Sequence, residues 1–206
     1  MEESRIISID NKEVIPLALN ILKNGGVISV PTDTVYGIVC NVFNPGAIER
    51  IYAIKGREVI KALPILIGEI RHLDNITMPL NLLAQKLAQH FWPGALTLVV
   101  PSQPNLPRQL SPYPAVGVRM PNHGWLLNFL LKSGPLASTS ANLSGSPEAH
   151  NALEVAQQLV GNVDLIVDGG ASSLPIPSTV VDCSGPEIKI LREGSISSDM
   201  IRELVF

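Results

Sequence analysis

Apolar positions along the chain recur at two periods that take turns. Between residues 12 and 23, Val14, Ile15, Leu17, Ala18, Ile21 and Leu22 fall at helical spacing, and Gly25-Gly26 stops that helix before the apolar run VISV. Asn44 and Pro45 read as N-cap and first-turn proline of a second helix, which carries Ile48, Ile51 and Tyr52 and runs out at KGR. Next come LPILI, a helix around 80–91, ALTLVV, a proline-rich loop over 101–114, the strand AVGVRM and a helix capped by Asn122. Beyond GPLASTSANLSGSP the pattern predicts a helix over 151–160, the strands VDLIVD, STVVDCS and EIKILRE, and a short terminal helix. Helices and strands alternate, yet neighbouring strands towards the C-terminus favour antiparallel pairing, so the expected fold class is α/β with a mixed sheet.

Four polar stretches break the apolar runs: PTDT at 31–34, KGREVIK at 55–61, STSANLSG at 138–145 and PSTVVD at 177–182. Each has an ordinary structural reading: a turn in which Asp33 bonds its own backbone, a helix end whose cations suit the dipole, a hydroxyl-rich loop, a strand entrance. The same device repeated at several strand ends also suits side chains that converge on a ligand.

Composition narrows the chemistry. The 206 residues, 46% hydrophobic and 16% charged, can bury one large core, and no repeat or linker divides them, so a single domain over 1–206 is expected. A net charge of −3 argues against a general nucleic-acid coat, and any anion site must be local. The local cations are Lys55, Arg57 and Lys61 together, then Arg119, then Arg192, each bordering an apolar run. Cys40 and Cys183 lie far apart in apolar runs, as buried thiols do, and the four histidines share no metal-ligand spacing; no protein-held metal is expected. The start Met1-Glu2-Glu3 lacks a basic, apolar leader, and no apolar run approaches the ~20 residues of a membrane span, so a cytoplasmic protein without a membrane partner is expected. The chain has no G-x-x-x-x-G-K-[ST] phosphate loop, no G-x-G-x-x-G and no G-x-S-x-G.

Taken in order, VPTDTVYGIVCN, IYAIKGREVIKALPILI, FWPGALTLVV, AVGVRMP, ASTSANLSG, PSTVVD and LREGSI resemble the YrdC-type family, the threonylcarbamoyl-AMP synthases, from about residue 12 to the C-terminus. The resemblance implies a YrdC-like twisted mixed sheet flanked by helices, with a large concave, positively charged cavity. It implies a nucleotidyltransferase that joins L-threonine, bicarbonate and ATP into threonylcarbamoyl-AMP with release of pyrophosphate. ATP enters as a substrate carrying Mg²⁺, and a downstream threonylcarbamoyl transferase passes the group to the adenosine beside the tRNA anticodon, so tRNA contact is weak at most. The family's Lys-x-Arg and Ser-x-Asn signatures fall on Lys55 and Arg57 and on Ser140 and Asn142.

On that footing Lys55 and Arg57 are the candidate catalytic residues. Arg57, Lys61, Ser140, Asn142 and Arg192 are the candidate ATP ligands. Thr34, Arg119, Ser138 and Ser178 form the candidate threonine site, with Arg119 on the carboxylate, and Thr179 and Lys55 stand as weaker candidates. The chemistry suits these residues, because all three substrates carry anionic groups and departing pyrophosphate adds charge at the α-phosphate. Asp33 reads equally as a turn residue or a general base. Leu66 stands where the longer branch of the family has a threonine-holding histidine, and the sequence ends at Phe206 without that branch's C-terminal domain. The alternatives are a YciO-like paralogue, an RNA-binding module of the same fold, and a carbamoyl-handling domain like that of hydrogenase maturation factors.

Overall fold

A computed structural model describes residues 5–56, 62–174 and 176–205. Its strands, in chain order, are β1 (Arg5–Ser8), β2 (Ile28–Val30), β3 (Gly37–Asn41), β4 (Ile65–Leu66), β5 (Leu96–Pro101), β6 (Ala115–Arg119), β7 (Leu136–Ser140), β8 (Leu165–Asp168), β9 (Thr179–Asp182) and β10 (Lys189–Arg192). They form one sheet in the order β1-β8-β2-β3-β7-β4-β6-β5-β9-β10. The pairs β1·β8, β2·β8, β4·β6 and β5·β9 are parallel and the other five antiparallel, the mixed sheet that the alternation predicts. Strand β1 was not expected: RIIS is short, lies at an edge and leaves Ile6 half exposed, so its alternation is faint.

Among the described residues, six α-helices cover both faces: α1 (Val14–Lys23), α2 (Pro45–Lys55), α3 (Leu82–Phe91), α4 (Gly124–Ser133), α5 (Ala152–Leu159) and α6 (Ser198–Val205). Residues from α1 and α4 pack with Ile28, Val30, Val39 and Leu165, whereas α2, α3, α5 and α6 pack with Ile38, Cys40, Leu96 and Leu98. The split follows from the two-residue period of a strand, which sends Ile38 and Val39 to opposite faces. Helix α1 buries Val14, Ala18 and Leu22, one residue per turn, as its pattern requires. Helix α2 starts where expected, with Asn44 Oδ1 accepting from the Ala47 amide at 3.1 Å.

One cap differs from the sequence reading. Helix α4 is capped by His123 rather than Asn122: the His123 Nδ1 accepts from the Leu126 amide at 3.3 Å. Because the helix begins at Gly124, Asn122 lies one residue too far out, and a neutral imidazole nitrogen supplies the lone pair that an Asn oxygen usually gives.

Helix α2 also ends unexpectedly. Its last residue, Lys55, is buried at 3% exposure instead of solvated. The ammonium donates to Ser140 O and to Asn142 Oδ1, each at 2.7 Å, and also to Asn142 O. A helix terminus is thereby tied to the exit of β7, and Gly56, with φ of 58°, releases the chain immediately afterwards in a left-handed turn.

Two outcomes follow. Lys55→Met strips the donor from several buried acceptors and should cost about 3 kcal/mol, lowering Tm by about 6 to 12 °C in a protein of this size; an unchanged Tm in calorimetry would refute the buried strut. The second concerns pH: burial holds the His123 imidazole below its usual value while Asp33 opposes the shift. A folded-state value below the unfolded one means that the unfolded chain binds the extra proton, so the cap's contribution is complete above about pH 6.5 and declines as pH falls. Wild type should lose stability relative to His123→Asn between about pH 6.5 and 5, and parallel denaturation profiles would exclude this linkage.

Candidate functional site

The turn between β2 and β3 sets the site's geometry. Thr32 braces it from inside: its hydroxyl donates to Val35 O at 2.7 Å and accepts from the Thr34 amide at 3.0 Å. With the backbone satisfied by Thr32, the side chains of Asp33 and Thr34 turn inward to the end of β6. There Asp33 Oδ1 accepts from Arg119 Nη2 at 2.6 Å, Thr34 Oγ1 accepts from Nη1 at 2.8 Å, and Gly94 O accepts from Nε at 3.0 Å. Asp33 and Arg119 are 4% and 7% exposed, so this is an ion pair taken out of water. Burial pushes the Arg119 guanidinium down from its ordinary value, Asp33 pulls it back, and the nearby positive charge of Arg192 adds to the depression. The PTDT stretch is a turn and also a wall of a cavity, but the turn is braced by the Thr32 hydroxyl and not, as the sequence suggests, by Asp33, whose carboxylate is held by Arg119.

That cavity has a volume of about 340 Å³. Of the residues expected at a site, it brings together Thr34, Arg119, Ser138, Ser140, Ser178 and Arg192, from the β2–β3 turn and from β6, β7, the approach to β9, and β10. Ser138 has room beside Gly37, its diagonal neighbour on β3, where a Cβ would lie 3.1 Å from the Ser138 hydroxyl. Arg192 spans Ser178: its Nε and Nη2 donate to Ser178 O at 3.2 and 2.9 Å. This grip needs the 194–196 turn close by, and Gly194 permits it, since a Cβ there would sit 2.2 Å from Pro177 O.

The other expected residues lie elsewhere. Lys55 and Asn142 stand behind Ser140 rather than in the wall: the Asn142 Oδ1 accepts from Ser140 Oγ at 2.6 Å as well as from Lys55, and its Nδ2 donates to Ser146 O at 2.6 Å. Thr179, fully buried, faces away from the cavity; its hydroxyl donates to Ile196 O at 2.6 Å and accepts from the Gly194 and Ile196 amides. The side chain following Ser178 on an extended strand points to the opposite face, and that separates these two neighbours. Arg57 and Lys61 lie outside the described residues.

Among the polar wall residues, sequence reasoning missed Thr32, Tyr36, Thr97, Thr139 and Glu148. Thr97 was findable as the lone hydroxyl in ALTLVV, whereas Glu148 in SPEAH gives no signal. Tyr36 is a bolt: its hydroxyl donates to Gly170 O at 2.7 Å and accepts from the Gly169 amide at 3.0 Å, while burial pushes its pKa up to about 12. Asp33, open as turn residue or base, is committed to Arg119.

With Asp33 balancing Arg119, an anion in the cavity meets Arg192, the Arg119 N–H groups that Asp33, Thr34 and Gly94 leave over, and the row of hydroxyls. Such a wall suits carboxylate, carbamate and phosphate oxygens. A second cavity of about 600 Å³, lined by Ile70, Leu73, Met78, Leu80, Trp92 and Met120 among others, is chiefly apolar and has no arginine. Among the described residues no cluster of three His, Cys, Asp or Glu could hold a metal ion, and no helix is long and apolar enough to cross a membrane.

Known proteins resemble this chain in sequence and fold. The Sua5, YciO and YrdC family model, described as "Telomere recombination", matches residues 20–194. A Bacillus subtilis protein named threonylcarbamoyl-AMP synthase is 38% identical over 198 residues, covering 95% of this chain and 57% of its own length. The Rattus norvegicus protein of the same name is 36% identical over 88% of this chain and 67% of its own. Among solved structures, Pyrococcus abyssi Sua5 complexed with L-threonine superposes with a TM-score of 0.92 at 33% identity, over 98% of this chain and 60% of that one. The chain thus spans under two thirds of the length of the Bacillus subtilis and Pyrococcus abyssi proteins. Fold, matched span and identity together place the chain in the Sua5/YciO/YrdC family.

Proposed function

We propose that the chain is a nucleotidyltransferase, an L-threonylcarbamoyladenylate synthase that makes threonylcarbamoyl-AMP and pyrophosphate from L-threonine, bicarbonate and ATP. The observation that carries this reading is the cavity in which Arg119 and Arg192 face Thr34, Ser138, Ser140 and Ser178, in a fold that superposes on a Sua5 bound to threonine.

Threonine sits against Thr34, Arg119, Ser138 and Ser178, with Arg119 on the carboxylate. Its orientation is fixed in advance, because three bonds already hold the guanidinium in place. Leu66, 4% exposed and part of the wall, lends an apolar surface for the threonine methyl where the longer branch of the family has a histidine. ATP, with the Mg²⁺ it carries, lies towards Ser140 and Arg192, and Arg57 and Lys61, outside the described residues, are its further proposed ligands. Lys55 and Asn142 act from behind, by shaping the loop that presents Ser140.

The neutral amine of threonine attacks the carbon of bicarbonate-derived carbon dioxide, loses a proton and gives a carbamate. A carbamate oxygen then attacks the α-phosphate, and the bond to pyrophosphate breaks. Arginines and hydroxyls around the anions hold the developing charge, and a carbamate formed against the cavity wall is short-lived in water and is consumed where it forms. No covalent intermediate on the protein is required. The product passes to a downstream transferase that modifies the adenosine beside the tRNA anticodon, and the synthase itself works in the cytoplasm.

Pyrophosphate release at subsaturating amino acid tests the reading. A single methyl is worth about 1 to 3 kcal/mol in an apolar pocket, so serine should be about ten- to a hundred-fold poorer than threonine. Valine, which leaves the hydroxyl's partners unpaired, should be worse still. Depleting bicarbonate should abolish the signal; equal rates for the three amino acids, or indifference to bicarbonate, would favour the YciO-like paralogue instead. Affinity for unmodified tRNA should be weak and fall steeply with salt, since one cavity contacts few phosphates. Nanomolar, salt-resistant binding in a filter assay would favour the RNA-binding module.

A further inference from the structure

Thr97 lines the cavity from the interior of β5, flanked by Leu96 and Leu98, both fully buried. A hydroxyl in that position needs a partner, and among the described residues it has one: Thr97 Oγ1 and Ser178 Oγ are 2.8 Å apart. The two residues are 5% and 6% exposed, and the parallel pairing of Leu96 with Thr179 brings them side by side at the mouth of the sheet. The rotamer of Thr97 is set by its other substituent. Its Cγ2 lies where Gly117 has no Cβ, since one there would come within 3.1 Å, so the methyl takes the glycine's gap and the hydroxyl is aimed at Ser178.

Either hydroxyl can donate across this bond, since each has one proton and can accept in two lone-pair directions. Arg192 Nη2 lies 3.4 Å from Ser178 Oγ and can only donate. The Ser178 oxygen is thereby held between Thr97 and Arg192, and because both hydroxyl residues line the cavity, the pair shares one proton internally and keeps the other for a ligand.

We infer that Thr97 is a positioning residue for the amino-acid substrate: with its methyl seated against Gly117, its hydroxyl holds Ser178 Oγ in the orientation in which Ser178 meets the substrate. The inference rests on the synthase reading and deepens it.

The experiment compares threonine-dependent pyrophosphate release for wild type, Thr97→Val, Thr97→Ser, Ser178→Ala and the Thr97→Val/Ser178→Ala double variant, with KM measured separately for threonine and ATP. Valine keeps the shape of threonine and loses only the hydroxyl. The threonine KM should rise about five- to ten-fold in Thr97→Val, the worth of one lost hydrogen bond, with the ATP KM and Tm little changed. Thr97→Ser should restore the threonine KM to within about two-fold, and in the Ser178→Ala background Thr97→Val should add nothing, as expected for one residue acting through another. A Thr97→Val protein equal to wild type, additive losses in the double variant, or a matched rise in both KM values with a lowered Tm would each overturn the assignment. If Thr97→Val fails to fold, Thr97→Ser and Ser178→Ala still decide: Ser178→Ala that leaves the threonine KM unmoved overturns it. A wild type that releases no pyrophosphate with threonine overturns the synthase reading and the assignment with it. A wild type that works while Thr97→Val matches it overturns the assignment alone.

Discussion

The buried pairing of Asp33 with Arg119 is the constraint around which the cavity is arranged. Two charges removed from water carry a desolvation cost that their attraction offsets only if the remaining donors are also satisfied. Here Thr34 and Gly94 O complete the shell, and each draws in a different stretch of chain. The β2–β3 turn, the end of β6 and the segment before β5 are thereby locked to a single guanidinium. An apolar cluster of the same volume could hold the three together, but it could not leave N–H groups facing a ligand. The pair costs more to bury than a hydrophobic contact and gives direction in return.

A second cation organises the opposite wall by the same logic. Lys55 gathers the carbonyls of Ser140 and Asn142 around its ammonium, which forces the chain after β7 to curl back and leaves the Ser140 hydroxyl in the wall. Thr179 does for the 194–196 turn what Lys55 does for the 140–142 turn, with a hydroxyl in place of an ammonium. In each case an internal polar group shapes a loop, and an adjacent residue of that loop or strand faces the cavity.

The sequence made the helices and most strands legible because their signals are local: apolar period, Asn44-Pro45, Gly25-Gly26. It was weakest where a weak local signal met a tertiary decision, as at β1, whose strand character depends on β8, and at His123, which caps because the helix starts one residue late. The site was legible as a set and less so residue by residue. The strand-end hydroxyls of Thr34, Ser138, Ser140 and Ser178 and the arginines Arg119 and Arg192 do line one cavity, and polar residues next to apolar runs have few other reasons to be there. Which of two neighbours faces inward was not legible. Ser178 and Thr179, or Ser140 and Asn142, differ only in direction, and direction is fixed by partners such as Arg192 and Lys55 that lie far away in sequence.

The strand order also governs how such a protein comes into being on the ribosome. β8 lies between β1 and β2, and β9 pairs with β5, so earlier segments must wait for segments made much later. The wall is closed by Ser178 and Arg192, and until they emerge Thr97 and the buried Asp33–Arg119 region stand open to solvent along unpaired edges of β5 and β2. Pairing across such sequence distances is slow and leaves strand edges exposed meanwhile. A nascent chain of this topology therefore keeps those strand edges unpaired until β8 and β9 are made, and its cavity closes only when they and β10 dock.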